Sequence, residues 1–349
     1  MFHWTKRWFG KLLSAAQRIV FRLGGRPSGR WVEGSFSDRD RRFLFSLVPQ
    51  SGRTYHLHLP GGYSRARQWP LLVMLHGCKQ DARNFAAGTR MNRIADREGF
   101  LVLYPEQKRL ANAFRCWNWF DRSVQNGEGE AALIAGMVRA VTAEYAVDPS
   151  RVYIAGMSAG AALTSVMVSC HGELFAACAM HSGLMHRAAD SAGDAMRAME
   201  NGSLVSPETV ARQVMANREF TFVPALVIHG TRDDVVHPSN ADQTIAQFMA
   251  MARGIGETSE ALVESVRRVT HGGTRPCEIR DFRSAETLMV RKVLIEELRH
   301  AWSGGDAQYA FNDARGPDAS LMIWEFVSTF ERRELAIAAS SASMLGTKQ

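Results

Sequence analysis

Gly156-Met157-Ser158-Ala159-Gly160 sets a serine between two glycines at the spacing of a nucleophile turn. A serine hydroxyl is a weak nucleophile. It attacks a carbonyl carbon only when a base takes its proton and an acid orients that base. Asp233 and Asp234, which follow His229-Gly230-Thr231-Arg232, are the candidate acids, with Asp233 preferred and Asp234 the alternative. His300, at the head of His300-Ala301-Trp302-Ser303-Gly304-Gly305, is the candidate base, because a glycine-rich loop can present an imidazole. The developing oxyanion needs two donors, and the backbone N–H groups of Ala159 and Cys78 are the candidates, each worth roughly 3 kcal/mol to the transition state. Taken singly, the pentapeptide is a chance turn and His300 an incidental histidine. Their order and context argue for acyl transfer.

That chemistry requires elements that bring the three residues together. Arg42 to Val48 and Arg53 to Leu59 alternate like two strands around a Pro-Gln-Ser-Gly turn, which predicts an antiparallel N-terminal hairpin. Leu71 to Leu75 is a fully apolar run ending at His76-Gly77-Cys78, followed by a helical stretch to Glu98 and a second buried run, Phe100 to Tyr104. Glu130 to Tyr145 reads as helix, Val152 to Ala155 as strand, Ala159 to Ser169 as helix, and Pro224 to Ile228 and Met289 to Glu296 as strands. Ala188 to Phe220 and Ala241 to Val269 read as helical stretches rich in Met and charge that partly cover the active face. Alternating strands and helices predict an α/β fold with a mostly parallel sheet and helices on both faces.

Several segments together resemble the poly(3-hydroxybutyrate) depolymerase family esterases: Leu75-His76-Gly77-Cys78-Lys79-Gln80, Phe85-Ala86-Ala87-Gly88-Thr89 with Met91-Asn92, Tyr104-Pro105-Glu106-Gln107, Cys116-Trp117-Asn118-Trp119-Phe120, the Ser158 turn and His300 to Gly305. The resemblance covers about Glu33 to Phe330. It implies an α/β-hydrolase related to feruloyl and acetyl-xylan esterases, with Ser158, Asp233 and His300 as triad. The implied substrate is an ester of poly- or oligo-(3-hydroxybutyrate), with feruloyl or acetyl-xylan esters as the alternative. A noncatalytic, membrane-attached binding protein on the same fold is the alternative from another class.

In such a fold Trp117, Asn118, Trp119 and Trp302 would lie beside the catalytic edge of the sheet, as substrate-binding residues or as a plug filling the core. The loops holding Cys78 and Cys116 would leave adjacent strands at that edge, so the two cysteines are expected either as a disulfide or as two buried thiols. The five cysteines show no zinc spacing, His56-Leu57-His58 is only a weak metal hint, and no phosphate-cradling glycine loop appears. No metal or cofactor is therefore expected.

The charge is uneven. Of 42 Lys and Arg residues, seven fall in residues 1–30 with no acidic residue, leaving 35 against 35 in the remainder. A formally neutral body gives little attraction to a phosphate backbone, so nucleic acid is not an expected partner. Trp4, Trp8, Leu12, Ala15, Ile19 and Leu23 recur at helical spacing opposite the basic residues, which predicts a basic amphipathic helix over residues 1–23. Such a helix either lies on an anionic membrane surface or is a docked or frayed extension. Gln17, Arg18 and Arg22 break the apolar run that an export signal needs. Family resemblance thus implies an extracellular protein, and the N-terminal segment a cytoplasmic or membrane-peripheral one. A glycine-rich linker closes this segment at residue 30, a catalytic domain is expected over residues 31–335, and a small-residue tail over 336–349.

Overall fold

The run Trp69–Leu75 forms a strand buried along its whole length, because it is apolar on both faces and is covered on both faces. The computed structural model describes residues 28–37, 52–217, 219–254, 262–270 and 272–332. The strands of the main sheet are β1 (Arg30–Ser37), β2 (Gly52–Leu59), β3 (Trp69–Leu75), β4 (Leu101–Pro105), β5 (Val147–Met157), β6 (Ala177–His181), β7 (Ala225–Gly230), β8 (Val263–Val269), β9 (Cys277–Ser284) and β10 (Thr287–Ile295). They make one ten-stranded sheet in the order β1-β2-β4-β3-β5-β6-β7-β10-β9-β8. The pairs joining β4, β3, β5, β6, β7 and β10 are parallel, and antiparallel strands extend the sheet at both ends.

The helices are α1 (Ala82–Thr89), α2 (Met91–Glu98), α3 (Arg122–Gln125), α4 (Gly129–Glu144), α5 (Ala159–Cys170), α6 (Ala192–Asn201), α7 (Pro207–Met215), α8 (Ser239–Gly254) and α9 (Ala319–Val327). Successive residues of β3 point to opposite faces. Leu71, Val73 and Leu75 join the core beneath α4, α5 and α8, whereas Leu72 and Met74 join the core beneath α1, α2 and α9. Because β3 lies between β4 and β5, the chain leaves it to one side and returns on the other. A crevice therefore opens where the loops after β3 and β5 diverge, the usual ligand position in an open parallel sheet.

Three expectations are modified, and one strand is new. The antiparallel partner of β2 is Arg30–Ser37, while the strand expected over residues 42–48, the helix over 1–23 and the tail over 336–349 lie outside the described residues. The helical stretch before Glu98 is two helices, divided at Arg90 in the left-handed region (φ 56°). The second Met- and charge-rich stretch is helical only as α8, and Val263–Val269 is an edge strand exposed on both faces. Ala177–His181, for which the sequence predicts no element, is strand β6, although its alanine-rich run favours helix locally. Pairing with β5 and β7 on its two sides decides the matter.

Candidate active site

Ser158 stands between the end of β5 and the first turn of α5, with φ 55° and ψ −121°. A left-handed backbone at a residue with a side chain costs on the order of 1–3 kcal/mol and persists only where the surroundings enforce it. Here both flanking glycines do so. A Cβ on Gly156 would collide with the Gly160 backbone, and a Cβ on Gly160 would collide with the carbonyl oxygens of Leu75 and His76. α5 thus begins pressed against the end of β3. The Ser158 N–H donates to the His181 carbonyl at 3.0 Å. The Ala159 N–H, in the first turn of α5, has no carbonyl four residues earlier within the helix to bond.

His300 Nδ1 lies 3.0 and 2.9 Å from the two carboxylate oxygens of Asp233. With Nδ1–H donating to the carboxylate, Nε2 carries the free lone pair. Asp233 also accepts the N–H groups of Val235 and Val236 at 3.1 and 2.9 Å, and His229 Nε2 stands 3.4 Å from its Oδ2. Burial alone would raise the Asp233 pKa, but the hydrogen bond and charge of His300, the charge of His229 and the Val236 N–H outweigh it and hold the carboxyl at about 2. Asp234 points outward to an ion pair with Arg299 on the surface. Of the two candidate acids, Asp233 is the one set against His300.

His181 was not singled out in the sequence, and it joins the two halves of the site. Its carbonyl holds the Ser158 N–H, its Nε2 accepts the Ser303 N–H at 3.3 Å, and its ring stacks on Trp302 at 5.1 Å. The loop carrying His300 is therefore fastened to the residue that holds Ser158. Burial keeps His181 neutral, with its pKa pushed down to about 3. The only sequence signal was a histidine at the end of a short apolar run, which many core histidines share.

The other wall is the turn after β3. The loop runs close to the serine: a Cβ on Gly77 would lie 3.4 Å from the Ser158 Cβ. Gln80 Oε1 accepts the Gly77 N–H at 2.8 Å, His76 Nδ1–H donates to the Gly77 carbonyl at 2.8 Å, and His76 Nε2 accepts the Gln107 N–H at 3.2 Å. Cys78 is joined to Cys116 by a disulfide with Cα atoms 4.2 Å apart. The bridged alternative thus describes this pair. Among the described residues the Cys78 N–H makes no hydrogen bond, which leaves it available as a donor beside Ser158.

The expected substrate-binding aromatics are a correction. Trp117, Trp119 and Trp302 are buried, and Trp117 and Trp302 donate their indole N–H groups to the His76 carbonyl and the Ser320 hydroxyl at 3.0 and 3.1 Å. Each ring fills core behind the site, so the plug alternative describes their placement. Asn118 is half-buried, with its amide groups directed at Glu130. His58 is likewise engaged by Asp96 at 2.9 Å.

Glu130 is the second residue that the sequence reading missed. It is buried at the start of α4 and accepts from Arg53 Nη2 at 3.1 Å, from the Asn118 N–H at 2.7 Å, from Asn118 Nδ2 at 3.0 Å and from the Gln107 side-chain amide. Since Gln107 also supports His76, this carboxylate ties β2, the Trp117 loop and the β3 turn to α4. Its signal was an acidic residue on the helical face shared with Leu133, Ile134 and Met137. Removing the carboxylate takes away the acceptor shared by these buried donors, so Glu130→Ala is expected to cost about 1–3 kcal/mol, read as a lowered urea midpoint at unchanged m-value.

Three histidines packed in the fold, His76, His181 and His186, have pKa values pushed by burial to about 4, 3 and 4. The unfolded chain binds their protons near pH 6.5, so below that pH it holds more protons than the native state and stability falls as pH falls. The contribution is complete above pH 6.5 and is lost progressively toward pH 4, by about 2 kcal/mol for each histidine at pH 5. Thermal unfolding measured at pH 7.5 and pH 5 should show a clear drop, and an unchanged midpoint would refute neutral burial of these rings.

A mostly parallel sheet, a strained strand-to-helix serine and an Asp-His pair delivered by later loops define an α/β-hydrolase. Residues 53–269 match the family described as Esterase PHB depolymerase, and the chain belongs to that family. It is 33% identical over 207 residues to poly(3-hydroxyalkanoate) depolymerase C of Paucimonas lemoignei, a match spanning 58% of this chain and 49% of that protein. It is 31% identical over 188 residues to feruloyl esterase B of Neurospora crassa, spanning 51% of this chain and 63% of the relative. The chain thus matches about half to two thirds of the length of these curated relatives. An acetyl xylan esterase from Aspergillus awamori shares the fold, with a TM-score of 0.61 at 20% identity over 77% of this chain and 94% of that one.

Proposed function

We propose that the protein is a serine carboxylic-ester hydrolase working through an acyl-enzyme. The observation that carries this reading is the Asp233–His300 pair, fastened through His181 to the strained turn of Ser158. Ser158 Oγ attacks the ester carbonyl as His300 Nε2 takes its proton, and the imidazolium is stabilised by Asp233. The N–H groups of Cys78 and Ala159 receive the oxyanion. Collapse of the tetrahedral intermediate expels the alcohol with the proton from His300, which then activates water to release the acid. A fluorophosphonate probe should label Ser158, and absence of labelling would favour a noncatalytic binding protein.

The favoured substrate is poly- or oligo-(3-hydroxybutyrate), supported by the family and by the resemblance to the Paucimonas lemoignei depolymerase. Feruloyl or acetyl-xylan esters are the second reading, supported by the Neurospora crassa relative. Parallel turnover of hydroxybutyrate oligomers, amorphous polymer and feruloyl esters separates the two. The seven unopposed basic residues within residues 1–30 support contact with an anionic membrane surface. Deleting residues 1–30 should leave soluble-ester turnover unchanged and reduce binding to anionic vesicles at low salt. Equal vesicle binding by the truncated protein would remove that idea.

A further inference from the structure

A cavity of about 480 Å³ opens between α3, the loop after β6, α6, the loop after α6 and Gln213 of α7. None of Ser158, Asp233 and His300 lines it. Gln125 in its wall contacts Cys170 Sγ through its carbonyl at 3.5 Å, and Cys170 is the last residue of the twelve-residue helix α5 that begins beside Ser158. At 1.5 Å per residue Cys170 lies about 18 Å along the helix from the serine.

The wall is apolar and the mouth is charged. Ala188, Ala189 and Ala198 form a buried floor of small side chains, while Val205 and Leu204 stand at the rim with Leu204 92% exposed. That exposure is built in. Gln243 clamps the neighbouring Ser203 backbone through two 2.8 Å hydrogen bonds, and Ser203 Oγ donates to the Ala188 carbonyl at 2.8 Å. Of the three guanidinium groups lining the cavity, Arg122 pairs with Asp190 at 3.0 Å and Arg197 pairs with Asp194. Arg187 has no carboxylate partner among the described residues. Its Nη2 donates to Asn126 Oδ1 at 2.9 Å, and its backbone, held at φ 58°, donates to Gln125 Oε1 at 2.9 Å. One uncompensated positive charge therefore faces an apolar chamber, within the roughly 300–1,000 Å³ typical of small-molecule sites.

We propose that this cavity binds an amphiphilic monocarboxylate of medium chain length. The carboxylate meets the Arg187 guanidinium as a charge-assisted hydrogen bond, and the hydrocarbon chain lies over Ala188, Ala189 and Ala198 beneath Leu204 and Val205. A polyanion such as a phosphate ester fits poorly, because Asp190 and Asp194 stand at the same mouth and only one cation is free to answer it.

The test uses the full chain with Ser158 blocked by a fluorophosphonate, so that the ester site cannot take up the probe. Binding of [1-13C]decanoate is followed by its carboxyl resonance and by calorimetry, with decanol as the neutral probe. Saturable binding of decanoate is expected, weakened at least tenfold by Arg187→Gln and largely retained by Arg187→Lys, while decanol binds the wild type and Arg187→Gln alike. Leu204→Ser should weaken both probes. Soluble-ester turnover of each unblocked variant should stay at the wild-type level. No saturable binding by the blocked wild type, or equal decanoate affinity in Arg187→Gln, would overturn the proposal. So would equal wild-type affinity for decanol and decanoate, since the charge would then not be read.

Discussion

Ser158→Ala is expected to lower ester turnover about a millionfold while leaving the fold intact, since removing a triad nucleophile abolishes the covalent route and leaves only binding and oxyanion stabilisation. Alanine keeps the same backbone demand at φ 55°, so its unfolding midpoint should match the wild type. Ser158→Gly is the informative companion. It is equally inactive, but glycine relaxes the left-handed strain and should raise stability by about 1 kcal/mol. Activity surviving in either variant would remove Ser158 from the mechanism. A destabilised glycine variant would mean that the serine side chain stabilises the turn rather than straining it.

Asp233→Asn should lower turnover about ten-thousandfold. An amide in place of the carboxylate cannot stabilise the imidazolium, and its NH2 group can force His300 to carry its proton on the wrong nitrogen. The same change at Asp234 only opens a surface ion pair with Arg299, so its turnover should stay within about twofold of the wild type. The pair separates two adjacent carboxylates by environment. Asp233 is enclosed by His300, His229 and two backbone N–H groups, while the Asp234 side chain is half exposed. A large loss at Asp234 with little effect at Asp233 would reverse the assignment.

The chain by itself determined what is written in local pattern. Buried runs such as Leu71 to Leu75 read as central strands because apolar residues on both faces need cover on both faces. The two glycines around Ser158 read as a sharp turn because a side chain at either position has no room. The order of serine, aspartate and histidine, each following a strand-like run, marked the residues that a parallel sheet delivers to one edge. Tertiary structure alone decided the rest. β6 is a strand because β5 and β7 flank it, against the preference of its alanines, and the tryptophans of the 117–119 loop turn inward because the core beneath them is there to fill. His181, Gln107 and Glu130 became legible only in three dimensions. Their roles rest on hydrogen bonds between elements tens of residues apart, and nothing in the neighbouring sequence records which backbone N–H or carbonyl will stand opposite them.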